Sequence, residues 1–225
     1  MPRALARSSA RSPRTCSGRA RRRPGTRASR RAVRATDWTV VIPVKGTPAA
    51  KSRLGGSPDL ALAIALDTVE AALGAARVIV VTSAEVSPTF VALGALVVKD
   101  TGVSLNAAVR EGLAEAGPGP TAVLLGDLPA LPPEELAGAL QLAAGHPLAM
   151  VADAETQGTT LITALRTDDH APAFGVGSRT AHLAAGYIEL PVPVTSGLRR
   201  DVDTAAQLAA LGDLAGHRTR AVLGR

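Results

Sequence analysis

The chain of 225 residues has room for one substantial domain and a tail. Its formal charge of +6 is unevenly spread: residues 1–36 hold 12 arginines and no acid, and removing those 12 from the 25 basic residues leaves 13 against 19 acids, a body of net charge −6. An acidic body with four aromatics (Trp38, Phe90, Phe174, Tyr187) argues against a nucleic-acid-binding domain, because phosphate backbones require a basic surface and bases require stacking partners.

The Arg-rich arm lacks the apolar run of a signal peptide, and its acid-free makeup would suit a transit peptide only if an apolar helical face ran through it. We read residues 1–36 as a disordered tail outside the fold, with Val33 a candidate start just before the first strand. Cys16 is the only cysteine and lies in this tail. Intramolecular disulfides and thiolate metal sites are thereby excluded, which suits a reducing cytoplasm. No apolar run approaches the roughly 18 residues of a membrane span.

Past the tail, short β-branched runs alternate with Ala/Leu-rich segments. "WTVVIPV" (38–44) reads as a first strand, and 58–74 as a helix opened by Pro58 and closed by Gly74. Strands are expected at 77–83, 95–100, 121–127, 147–153 and 159–165, with helices at 87–94, 104–117 and 132–145 between them. Continuous apolar strands alternating with helices predict an α/β domain over 37–216, with residues 217–225 as a C-terminal tail. Its mostly parallel sheet would be covered on both faces, giving three Rossmann-like layers. In such sheets ligands bind beyond the carboxyl ends of the strands, where strand order reverses.

Several loops at those ends carry chemistry. "VKGTPAAKSRL" holds Lys45, Lys51 and Arg53, three cations suited to a polyanion such as a nucleoside triphosphate, although it matches neither a P-loop nor a GxGxxG turn. From charge alone, a solvated basic loop is the simpler reading. "LLGDLPAL" places Asp127 at the mouth of an apolar strand, where a carboxylate is costly without a positive partner. "RRDVDT" offers Asp201 and Asp203, two residues apart, and a plain helix cap is the simpler reading of that stretch alone. "FGVGSRTAHLAAG" reads as a glycine turn feeding a short helix with Ser178 as its N-cap, a place where free N–H groups can hold an anion. The four histidines, His146, His170, His182 and His217, form no motif and are expected at the surface or on helices, without a catalytic role.

"IPVKGTPAAKSRL" resembles the opening loop of the guanylyltransferases of deazaflavin coenzyme F(420) biosynthesis. "LN" (105–106), "GDLPAL", "GTTL" (158–161), "FGVGS" and "GLRRDVDT" (197–204) match the same family in the same order, covering nearly all of 38–211. The resemblance implies a nucleotidyltransferase fold of glycosyltransferase-A-like type. The implied activity is the activation of phosphoenolpyruvate or 2-phospho-L-lactate with GTP, with phosphoenolpyruvate favoured by an Arg- and Ala-rich composition typical of GC-rich bacteria. It further implies that Mg²⁺ is held by Asp127 and Asp201, with Asp203 as helper or helix cap. Thr160, the backbone of Gly175, and Ser178 would hold the phospho-acid. Lys45, Lys51 and Arg53 would neutralise the triphosphate, and Asn106 would contact the guanosine. The expected partners are GTP and a small phospho-acid, with no membrane and no nucleic acid; the oligomeric state stays open, a homodimer being compatible. Two rival readings fit the residues: another nucleotidyltransferase of this fold acting on a sugar phosphate or a different nucleotide, and a non-catalytic nucleotide- or nucleic-acid-binding regulator working through the arm.

Overall fold

The computed structural model describes residues 33–34, 37–44 and 57–224. The expectations for the Arg-rich tail therefore lie almost wholly outside the described residues, and those for Lys45, Lys51 and Arg53 wholly outside them.

Seven strands form one sheet: β1 (Thr39–Pro43), β2 (Arg77–Thr82), β3 (Leu96–Lys99), β4 (Thr121–Leu124), β5 (Leu148–Ala152), β6 (Thr159–Ala164) and β7 (Ile188–Glu189). Their order is β3-β2-β1-β4-β6-β5-β7. β6 runs antiparallel to both β4 and β5, and every other pairing is parallel. The expected mostly parallel sheet is thus present, with one reversed strand that the apolar pattern of "TTLITAL" could not reveal. β7, only two residues long, was not foreseen.

Alternation along β1 sorts the core. Val40 and Ile42 join one cluster with Leu66, Val69, Leu136 and Leu140, whereas Val41 faces Val109, Leu113, Val123 and Ile162 on the other side. The first face is covered by α1 (Pro58–Leu73) and α4 (Pro133–Ala143), the second by α3 (Leu105–Ala116). This is the period-2 alternation of a strand buried on both faces. α3 lies very close to the sheet, because a Cβ on Gly112 would collide with the side chains of Val41 and Val81. Three further helices, α2 (Ser87–Leu93), α5 (Ser178–Ala184) and α6 (Ala205–Leu211), complete the expected set.

The C-terminal residues expected as a tail instead form α7 (His217–Val222) against α1. The Asp67 carboxylate of α1, 3% exposed, accepts the amides of Arg218 (3.1 Å) and Thr219 (2.8 Å), and so caps α7 from outside. Among the described residues no helix is long and apolar enough to cross a membrane.

Candidate functional site

β1 and β4 are neighbours, and from them the chain proceeds in opposite directions across the sheet, through β2 and β3 on one side and β6, β5 and β7 on the other. A crevice opens beyond the carboxyl ends at such a point. β4 ends at Leu124, and the chain leaves it through Leu125, whose amide donates to the Thr160 carbonyl at 2.9 Å. Gly126 follows because a Cβ there would lie 3.2 Å from the Val44 side chain and 3.3 Å from the Pro43 carbonyl oxygen. Leu128 is fully buried, and its amide donates to the Thr68 hydroxyl at 3.0 Å. Asp127 is therefore clamped between two anchored residues.

A second loop meets it. Residues Gly197–Arg199 form a 3-10 turn. The buried guanidinium of Arg199 donates to the Asp153 carbonyl through Nε (3.2 Å) and Nη2 (2.7 Å), and to the Val192 carbonyl through Nη1 (3.0 Å). Val202 buries its side chain among Leu60, Ile64, Leu208 and Leu211, while its amide donates to the Asp127 carbonyl at 3.0 Å. Asp127 and Asp201 are thereby brought to one place, as expected. Asp203 is exposed and does not cap α6: that role belongs to Thr204, in a capping box with Gln207.

Asp153 is a carboxylate that sequence reasoning missed. Its Oδ1 accepts the Gln157 amide (2.9 Å) and its Oδ2 the Gly158 amide (2.6 Å), and a Cβ on Gly158 would run into that same oxygen. Asp153, Glu155 and Asp201 each offer an oxygen, all within 4.8 Å of one another. The signal was present: "MVAD" ends a buried strand with a carboxylate just as "LLGD" nearly does.

Burial first, then the negative charges of Asp127, Asp153, Asp203 and Glu155, push the Asp201 carboxyl up to about 7. One of its oxygens, Oδ1, is buried without a hydrogen-bond partner. Hard carboxylate oxygens that repel one another and leave a lone pair unmet fit a hard divalent cation. The other acidic cluster, Asp67, Glu70 and His217, is committed to Arg218 and the start of α7.

Asp127, Asp153, Asp201 and Asp203 share one hollow of about 580 Å³ with Leu105, Phe174, Gly175 and Ser178, a size suited to small ligands. Gly177, at φ 72°, is the N-cap of α5 and Ser178 its first residue, so the expected serine cap is absent. Gly175 and Gly177 take left-handed conformations that suit glycine, and this shapes the loop. Thr160 is fully buried, and its hydroxyl donates to the Leu198 carbonyl at 2.7 Å; as placed, it braces the 3-10 turn and does not line the hollow. The Asn106 side chain pairs with the backbone of Phe174, donating to its carbonyl (3.0 Å) and accepting its amide (2.9 Å). The amide expected to reach guanosine is thus already occupied.

The histidines meet expectation in part, with His217 exposed on α7. His182 does lie on a helix, but fully buried, and His170 is half-buried in a loop where its Nδ1 meets the Tyr187 hydroxyl at 3.2 Å. Desolvation lowers both rings to about 4, so both are neutral near pH 7.

A family model described as "Guanylyl transferase CofC like" matches residues 38–209. A phosphoenolpyruvate guanylyltransferase from Streptomyces coelicolor is 45% identical over 204 residues, covering 84% of this chain and 96% of that protein. Among solved structures, a nucleotidyl transferase from Methanothermobacter thermautotrophicus superposes with a TM-score of 0.57 at 20% identity, covering 82% of this chain and 98% of that one. A Mycobacterium tuberculosis protein crystallised as a complex with manganese does so at 0.56 and 21%, covering 79% and 99%. These two likenesses bear on the fold.

Proposed function

The chain belongs to the CofC-like guanylyl transferase family, and on that premise we propose that it joins GMP from GTP to phosphoenolpyruvate in coenzyme F(420) biosynthesis, releasing pyrophosphate. The observation that carries this reading is the meeting, in one hollow, of the Asp127 and Asp201–Asp203 carboxylates with the Phe174–Ser178 loop. The choice of phosphoenolpyruvate over 2-phospho-L-lactate follows the activity for which the Streptomyces coelicolor relative is named.

An oxygen of the substrate phosphate forms a new bond to the α-phosphorus of GTP as the bond to the β-phosphate oxygen breaks. The nucleophile is already anionic, so no strong general base is required. Asp127, Asp201 and Asp203 would hold a divalent cation, Mg²⁺ in our reading, which when bound supplies charge neutralisation for the triphosphate. Lys45, Lys51 and Arg53 are assigned to the same polyanion by point charge and fork. Gly175, through its backbone, and Ser178 are assigned to the phospho-acid. The catalytic unit is placed within 37–216, and the Arg-rich tail has no part in the chemistry.

The test is pyrophosphate release with GTP, Mg²⁺ and phosphoenolpyruvate, run beside 2-phospho-L-lactate, ATP, CTP and sugar phosphates, with the product weighed by mass spectrometry. Release with CTP and a sugar phosphate, but not with GTP and a phospho-acid, would transfer the chain to another member of the same fold.

A further inference from the structure

The loop that lines the hollow at Phe174–Ser178 is held at its N-terminal base by two side chains outside it. Asn106, on the first turn of α3, closes a two-way pair with the Phe174 backbone. At the preceding residue, the Ala173 amide donates to His182 Nε2 at 3.0 Å. An amide can only donate, so Nε2 carries the lone pair and the ring proton sits on Nδ1, where it donates to the Thr159 hydroxyl at 3.0 Å. Thr159 itself lines the hollow. The His182 ring also meets Phe174 edge-on, at a centroid distance of 5.1 Å.

We propose that Asn106 and His182 are positioning residues for the phospho-acid half of the reaction. Together they fix the backbone at Ala173 and Phe174 so that Gly175 and Ser178 present a preformed cradle. Asn106 would then make no contact with guanosine. Two glycines in left-handed conformation give the loop other shapes to adopt, and side-chain bonds at its base are what select one of them. Preorganisation of this kind lowers the cost of binding the ligand that the loop touches and leaves the affinity for the other substrate alone. This inference rests on the phospho-acid assignment above.

Steady-state kinetics with GTP, Mg²⁺ and phosphoenolpyruvate test it. Asn106→Ala is expected to raise KM for phosphoenolpyruvate by about tenfold, the scale of two lost hydrogen bonds, with KM for GTP within about twofold. His182→Phe should give the same split, and the double variant should lose less than the product of the two, because both act on one loop. Asn106→Asp keeps an acceptor for the Phe174 amide and favours a helix N-terminus, so it separates the roles. Recovery of the phosphoenolpyruvate KM together with protection of the Phe174 amide supports loop positioning, whereas recovery of KM with that amide still unprotected reduces Asn106 to a helix-stabilising residue and overturns it. A KM for GTP raised as much as that for phosphoenolpyruvate in Asn106→Ala would also overturn it. Hydrogen exchange at the Phe174 amide gives a readout without turnover: protection should fall about tenfold in Asn106→Ala, and unchanged protection sinks the proposal. Should the wild-type protein release no pyrophosphate with any phospho-acid, the proposed function fails, while this exchange measurement still decides whether Asn106 holds the loop.

Discussion

The Val202 amide and the Asp127 carbonyl, 3.0 Å apart, join two loops that lie far apart in the chain. With Val202 buried beneath them, the bond fixes where Asp201 stands relative to Asp127. Backbone, not side-chain contact, thus sets the spacing of the two acidic residues. Asp127→Asn and Asp201→Asn should therefore each lower turnover by roughly 100-fold or more, the scale of losing several kcal/mol of charge stabilisation. The fold should survive, as read by an unchanged cooperative melting transition. Turnover retained in either variant would remove that carboxylate from the cation site.

The crowding at Asp201 makes stability depend on pH in a defined direction. Its folded pKa of about 7 lies above the ordinary value of 3.8, so between about pH 4 and 7 the folded state keeps a proton that the unfolded chain has released. Stability from this group thus falls as pH rises through that window. In EDTA, wild type should lose stability relative to Asp201→Asn between pH 5 and 8, and Mg²⁺ should restore it above pH 7. A difference between the two proteins that stays constant with pH, or an absence of any Mg²⁺ effect, would contradict the charge arrangement.

Two desolvated histidines pull the other way. His170 and His182, lowered to about 4 by desolvation, refuse a proton that the unfolded chain accepts near 6.5. Their contribution is intact above 6.5 and is lost as pH falls toward 4. Denaturant unfolding of wild type and His182→Gln between pH 7 and 5 should show the variant with the shallower loss on acidification. Parallel curves would mean that the His182 ring takes up its proton over the same pH range folded and unfolded, and that burial does not keep it neutral.

Strand–helix alternation announced the layered sheet, and Gly126–Asp127 announced a carboxylate at a strand mouth, because both are local patterns. The reversal of β6 was hidden, since a strand buried on both faces reads the same in either direction. Thr160, Asn106 and His182 were hidden for a different reason: a hydroxyl, an amide or an imidazole shows its chemistry in sequence but not its partner. Their partners, Leu198, Phe174 and Thr159, are settled by tertiary contact. The C-terminal helix α7 reads as a tail in sequence because its six residues carry no long apolar face; the Asp67 cap and Leu223, packed at its end on the Leu60–Ile64 cluster, hold it against α1.

The arm separates the enzyme reading from its rival of another class. Removing residues 1–32 should leave kcat/KM for both substrates within about twofold, because the family match begins at residue 38. Loss of function on deletion, with the body still folded, would favour the nucleic-acid-binding regulator.

The Asp67 cap on α7 predicts a stability effect without a catalytic one. Its two oxygens accept the Arg218 and Thr219 amides, and a Cβ on Gly216 would collide with the same carboxylate, so the helix start and the acid are fitted closely. Asp67→Ala strands two amides near the core and should cost roughly 2–4 kcal/mol by urea unfolding. Asp67→Asn, which keeps one acceptor oxygen, should cost less. Asp67 lies outside the hollow that holds Asp127 and Asp201, so kcat/KM measured well below the melting temperature should stay near wild type in both variants. A selective loss of turnover in a protein of normal stability would mean instead that α7 transmits to the site through α1, whose Leu60 and Ile64 pack on Val202.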